Sequence, residues 1–152
     1  MLEVHLKFYS TAKINEKMAL NFIMIDNNEL NCFIIQKMLA NTNASIPLNT
    51  FVHAQEGYEF IKNHSFQSDA DKTILLLDIH MPLMDGFEFL NEFDQLPETT
   101  KKHYTIYILT SSTDRKDKQR STLSGSVKKF LSKPLTFDIL KNIIEESNNT
   151  AL

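Results

Sequence analysis

Short apolar runs and amphipathic stretches take turns along the chain. Phe22-Ile23-Met24-Ile25 is apolar without a break and stops at Asp26. A run this short, with no alternation, predicts a strand covered on both faces. Asn27 and Asn28 then supply turn and N-cap chemistry. Leu30, Phe33, Ile34 and Met38 follow at helical spacing and predict a first helix to about Leu39. A weaker strand is expected over Leu48–Ala54, a helix over Glu56–Asn63, and a polar connection over Ser65–Lys72. Ile74–Leu77 reads as a third strand ending at Asp78, and Phe87, Phe89, Leu90 and Phe93 mark a helix after Gly86. Leu96–His103 reads as a loop. Tyr104–Leu109 and Val127–Leu131 read as strands, the first running into Thr110 and Ser111 and the second into Lys133-Pro134. Leu135, Ile139, Leu140, Ile143 and Ile144 give a final helical stripe, with fraying expected after Glu146.

Strand and helix thus alternate five times. That pattern predicts an α/β fold, a parallel sheet with helices on both faces and right-handed crossovers. No repeat or linker interrupts it. Residues 1–20 have no clear period apart from the alternation of Val4, Leu6 and Phe8, and read as an N-terminal extension.

Composition narrows the function classes. The 152 residues suit one core, and 42% hydrophobic with 23% charged residues is an ordinary globular mix. A net charge of −3 gives no reason to expect nucleic-acid binding. No apolar run reaches membrane-spanning length, and residues 1–20 contain no signal-peptide core, so neither membrane insertion nor export is expected. The single cysteine, Cys32, fits a cytoplasmic location. Gly57, Gly86 and Gly125 are too far apart for a glycine-rich phosphate loop.

The chemistry gathers just past the strands. Asp26 and Asn27 follow the first, Asp78 the third, Thr110 and Ser111 the fourth, and Lys133 the fifth. In an open parallel sheet the carboxyl ends of the strands form the ligand crevice, so residues distant in sequence meet there. Two carboxylates ~4 Å apart repel by about 4 kcal/mol at an effective dielectric of about 20. A cation must offset this. Magnesium fits a site of few oxygen ligands, and Lys133 supplies a second positive charge. Carboxylate, metal, ammonium and hydroxyl together make a cradle for a phosphoryl group.

The segments "IMIDNNELN", "LLLDIHMPLMDG", "YILTSS" and "FLSKP" stand in this order at the strand ends. Over residues 21–147 the chain resembles the receiver domain of two-component response regulators, of the single-domain chemotaxis-regulator type, with residues 148–152 left as a tail. The resemblance implies a doubly wound, flavodoxin-like sheet of order 2-1-3-4-5. It implies that Asp78 accepts a phosphoryl group from a sensor histidine kinase or a histidine phosphotransfer protein. Asp26, Asp78 and the His80 backbone carbonyl would hold Mg2+, Lys133 would pair with the phosphoryl group, and Thr110 with Phe130 would form the switch. It also implies a cis bond between Lys133 and Pro134. With no output domain expected after Asn148, the signal would pass to a protein partner through the face of the fourth helix, fifth strand and fifth helix, without nucleic acid or membrane. The domain would be a signalling phosphoacceptor, not an enzyme beyond its own phosphorylation and dephosphorylation.

Asn27 departs from the pattern, because the family usually has two adjacent acids there. An amide oxygen can ligate a hard cation but brings no charge, so weaker magnesium binding is expected. A pseudo-receiver that binds partners without phosphorylation is therefore the competing reading. An aspartyl phosphatase fits less well, since that chemistry needs a second acid where His80 stands.

Asp85-Gly86 reads as a turn. Ser112–Leu123 lacks the apolar stripe of a packed helix and is expected to form a weakly held one. Arg115, Lys116, Lys118, Arg120, Lys128 and Lys129 make its neighbourhood basic, either as a solvated face or as a patch for an acidic partner.

Overall fold

The computed structural model describes residues 18–42, 45–111, 115–121 and 124–150. Five strands, β1 (Leu20–Ile25), β2 (Leu48–Phe51), β3 (Lys72–Asp78), β4 (Tyr104–Thr110) and β5 (Val127–Ser132), pair in parallel in the order β2-β1-β3-β4-β5. The chain starts at the middle, moves to one edge, crosses back and continues to the other. The order therefore reverses beside β1 and β3, and Asp26 and Asp78 leave the sheet on either side of that reversal.

The apolar runs are explained by covering on both faces. Ile23, Ile25, Leu75, Leu77, Ile106 and Ile108 pack with α2 (Ala54–Asn63) and α3 (Gly86–Asp94). Phe22, Met24, Ile74, Leu76, Tyr107 and Leu109 pack with α1 (Glu29–Ala40) and α5 (Phe137–Asn149). From Ile74 to Leu77 successive residues of β3 face opposite cores, so all four are apolar.

The expected apolar stripe on α1 is on the wrong side. Leu30, Phe33 and Ile34 are exposed, and the buried face is Cys32, Ile35 and Leu39. Eight of the twelve residues of this helix, LNCFIIQKMLA after Glu29, are apolar, so periodicity alone could not choose a face; contact with the sheet does. Met38 remains partly buried at the edge. Asn28 caps α1 through Leu30 N, 3.0 Å away, as its side-chain chemistry predicts.

Four smaller expectations are corrected. β2 stops at Phe51, and α2 begins at Ala54. The loop after Leu96 contains a helical turn, Glu98–Lys101, which begins after Pro97, where a fixed φ suits a helix start. α5 continues past Glu146 to Asn149, and its end is closed by Thr150 Oγ1 donating to Glu146 O at 2.8 Å. The polar connection before β3 contains a buried acid, Asp71, whose carboxylate accepts from the backbone N–H groups of Ala19, Gln67 and Ser68. The alternation at Val4–Phe8 lies outside the described residues.

α4 (Arg115–Ser121) is the short polar helix expected from its sequence. Two of its contacts are made by side-chain tips. Asp117 Oδ2 lies 3.4 Å from His80 Nε2, and the Arg120 guanidinium sits 3.9 Å above the Phe87 ring. Beyond it, Ser124 and Ser126 both donate to Asp94 Oδ1 of α3.

Candidate functional site

Four residues converge at the carboxyl ends of the strands. Asp26 follows β1 and is fully buried; Asp78 is the last residue of β3 and is nearly so. Thr110 ends β4, buried, and its carbonyl accepts from Lys133 N at 2.8 Å. That bond holds Lys133 directly after β5, and the Lys133–Pro134 peptide is cis. Its ammonium reaches both acids, 2.7 Å from Asp26 Oδ2 and 3.3 Å from Asp78 Oδ1.

The two carboxylates are held differently. Asp26 Oδ1 accepts from Asn28 N at 2.9 Å, and Oδ2 accepts from Asn31 Nδ2 at 3.0 Å as well as from Lys133. Among the described residues Asp78 Oδ1 has only Lys133 and a long contact from His80 N, 3.4 Å. Asp78 Oδ2 accepts no hydrogen bond from the described residues. Asp26 is anchored, whereas Asp78 keeps an oxygen available for reaction.

Burial is the main influence on Asp78 and pushes its carboxyl above the ordinary value; the Asp26 charge adds to this and Lys133 opposes it. Cys32, whose Sγ lies 3.6 Å from Asp26 O, is pushed up to about 11, first by burial and then by the Asp26 charge. It is a packed thiol with no place in the chemistry.

The donor set suits a divalent cation. Asp26, Asp78 and nearby backbone carbonyls offer oxygen alone, which suits a hard ion. Among the described residues no group of three His, Cys, Asp or Glu side chains is placed to hold a metal. Two carboxylates with several positions left to water match magnesium better than zinc or a protein-caged calcium. Asn27 is exposed and its side chain makes no hydrogen bond among the described residues. Phe130 is half-buried, pairs with Ile108 on β4 and packs toward α2 and α3.

Two features escaped the sequence reading. Asn31, in the first turn of α1, bonds the Asp26 carboxylate. Its only signal was a polar residue within one helical turn of the strand end. The His80–Asp117 contact links the loop after Asp78 to α4 and has no local signature at all. Asp85 and Gly86 are the turn they were read as. Asp85 caps α3 in a full capping box with Glu88, and a Cβ on Gly86 would come within 2.7 Å of Asp78 O.

The family model of the response regulator receiver domain matches residues 22–145. The chain belongs to this family. It is the receiver domain of two-component systems. Among curated relatives, hybrid signal transduction histidine kinase G of Dictyostelium discoideum is 27% identical over 132 residues, which is 87% of this chain and 4% of the kinase. Of hybrid kinase B from the same organism the chain spans 7%. A receiver protein from Dyadobacter fermentans superposes with a TM-score of 0.74 at 24% identity, covering 85% of this chain and 98% of that one. The receiver domain of a Pseudomonas aeruginosa sensor histidine kinase gives 0.67 at 18% identity, over 85% and 97% of the two chains. That protein was crystallised with a magnesium ion coordinated in its active site cleft. Among the described residues no helix is long and apolar enough to cross a membrane.

Proposed function

We propose that this receiver works by phosphorylation of Asp78, in a cytoplasmic pathway, with a histidine kinase or histidine phosphotransfer protein as donor. The carrying observation is that Lys133 Nζ stands between Asp26 and Asp78, 2.7 and 3.3 Å from their oxygens, while Asp78 Oδ2 accepts no hydrogen bond from the described residues. The Asp78 carboxylate attacks phosphorus in line; the new bond is P–O, and the P–N bond to the donor histidine breaks. Lys133 neutralises charge on the phosphoryl oxygens, and His80 N is close enough to donate to the acceptor carboxylate. Magnesium, held by Asp26, Asp78 and the His80 carbonyl with Asn27 as a weak ligand, supplies further positive charge when bound.

The phosphorylated carboxylate draws the Thr110 hydroxyl, and Phe130 follows on the neighbouring strand. The α4–β5–α5 face then changes its affinity for a protein partner. The domain boundaries at residues 21 and 147, with an extension and a short tail, belong to the same proposal. Incubation with phosphoramidate and magnesium, read by intact mass, tests it: one phosphoryl group is expected on the native protein and none on Asp78→Ala. An unmodified native protein would instead favour the pseudo-receiver reading, which the uncharged Asn27 and the polar α4 support and the intact Asp26, Asp78, Thr110 and Lys133 oppose.

A further inference from the structure

Asp26 has no exposed surface, so its charge depends wholly on the donors around it. An ionised carboxylate only accepts hydrogen bonds. Oδ1 takes Asn28 N at 2.9 Å, and Oδ2 takes both Asn31 Nδ2 at 3.0 Å and Lys133 Nζ at 2.7 Å. Of these three donors, Lys133 is the one shared with the other acid, 3.3 Å from Asp78 Oδ1, and its side chain is partly exposed. In the proposed transfer the same ammonium is needed by the phosphoryl oxygens. As it turns to them, Asp26 Oδ2 loses its cationic donor, and a buried carboxylate left short of donors is costly.

The surroundings of Asp26 offer little to replace it. Asp26, Asn31 and Lys133 border a cavity of about 290 Å3 whose other walls are Met24, Ile34, Ile35, Leu109, Pro134 and Leu135, none with a side-chain donor. Asn31 is placed independently of Lys133. It lies in the first turn of α1, where its N–H donates to Asn28 O at 3.1 Å and Asn28 caps the same turn. Among the described residues its side chain bonds Asp26 alone. As an amide it also brings no charge. A cation in its place would neutralise Asp26 and compete with Lys133 and magnesium, whereas the amide fills a lone pair and leaves the charge intact.

We propose that Asn31 is a positioning residue that releases Lys133: it keeps a donor on Asp26 Oδ2 while the ammonium turns to the phosphoryl group. This rests on the reading of Asp78 as acceptor. Asn31 acts through Asp26, and its effect is largest where Lys133 has left.

The test is a double-mutant cycle of the native protein, Asn31→Leu, Lys133→Met and the pair. Leucine is close to asparagine in size and has no donor. In metal-free urea denaturation, Asn31→Leu is expected to lower the midpoint at least about twice as far in the Lys133→Met background as in the native one, because the amide is then the last side-chain donor on Asp26 Oδ2. A residue that only supports the helix turn gives equal shifts. With phosphoramidate and saturating magnesium, Asn31→Leu should be phosphorylated about tenfold more slowly than the native protein, and Asn31→Gln, which keeps an amide, within about threefold of it. Equal urea shifts in the two backgrounds, a native rate for Asn31→Leu, or an Asn31→Gln rate as low as that of Asn31→Leu, would overturn the inference. Should the pair not fold, the two rates decide alone. A native chain that phosphoramidate does not modify would instead strike at Asp78 as acceptor, and the urea cycle would still decide whether Asn31 is the reserve donor of Asp26.

Discussion

Lys133 Nζ lies 2.7 Å from Asp26 Oδ2 although 107 residues separate them along the chain. The contact exists because parallel strands deliver all their carboxyl ends to one side of the sheet. It also brings one cation between two buried anions. Replacing it by Lys133→Met leaves those anions facing each other. Lys133 is itself partly exposed, so water softens the loss; about 2 kcal/mol of stability is expected to disappear in urea denaturation. Phosphorylation by phosphoramidate should slow by about a hundredfold or more.

Asp78 makes stability depend on pH. Its folded-state carboxyl lies above the ordinary value, chiefly through burial. Below the ordinary Asp value both states are protonated and its favourable contribution is fully present. As pH rises through the raised folded value that contribution is lost, because the unfolded chain releases the proton more readily. Asp78→Asn should therefore be more stable than the native protein at neutral pH in metal-free buffer, and the advantage should vanish in acid. Thermal melts across pH measure this; an advantage that grows in acid would contradict it.

Asn27 sets the demand for magnesium. Magnesium should raise the thermal midpoint of the native protein, and Asn27→Asp should reach the same rise at about tenfold lower concentration, since a charged ligand replaces an amide. In metal-free buffer Asn27→Asp should be the less stable protein, because a third carboxylate joins Asp26 and Asp78. Equal magnesium dependence in the two proteins would remove Asn27 from the metal site.

Gly86 is required by space rather than by φ. A Cβ there would meet Asp78 O at 2.7 Å and Ile79 Cα at 2.8 Å, both backbone atoms that cannot swing aside. Gly86→Ala should cost about 1–3 kcal/mol and slow phosphorylation as well, since the displaced backbone is that of the acceptor.

Cys32 should be inert. Buried, and with its thiol pushed up to about 11, it is expected to react with a thiol reagent at pH 8 about a hundredfold more slowly in the native protein than in urea.

The strands and the meeting of the four site residues were legible because every β-run but β2 ends in or is followed by a chemically distinct residue, and the topology gathers strand ends without any detail of packing. Asp26, Asp78, Thr110 and Lys133 could be named from that rule. The face of α1 could not, since Leu30, Phe33 and Ile34 compete with Cys32, Ile35 and Leu39 for the same sheet, and both sets are apolar at helical spacing. Asn31 and Asp117 were invisible for a different reason. Each matters through a single partner, Asp26 or His80, and a residue's partner is not written in its own neighbourhood.

α4 has the last consequence. A helix seated in a groove by leucines would need many kcal/mol to leave. Among the contacts of this one are an imidazole–carboxylate pair and a guanidinium over a ring, His80 with Asp117 and Arg120 with Phe87. Contacts of these kinds are worth about 1 kcal/mol each at a partly exposed site. Every 1.4 kcal/mol is about a tenfold change in population. Breaking one such contact would then shift the helix's population by up to about tenfold, and His80, two residues past Asp78, ties one of them to the loop of the acceptor.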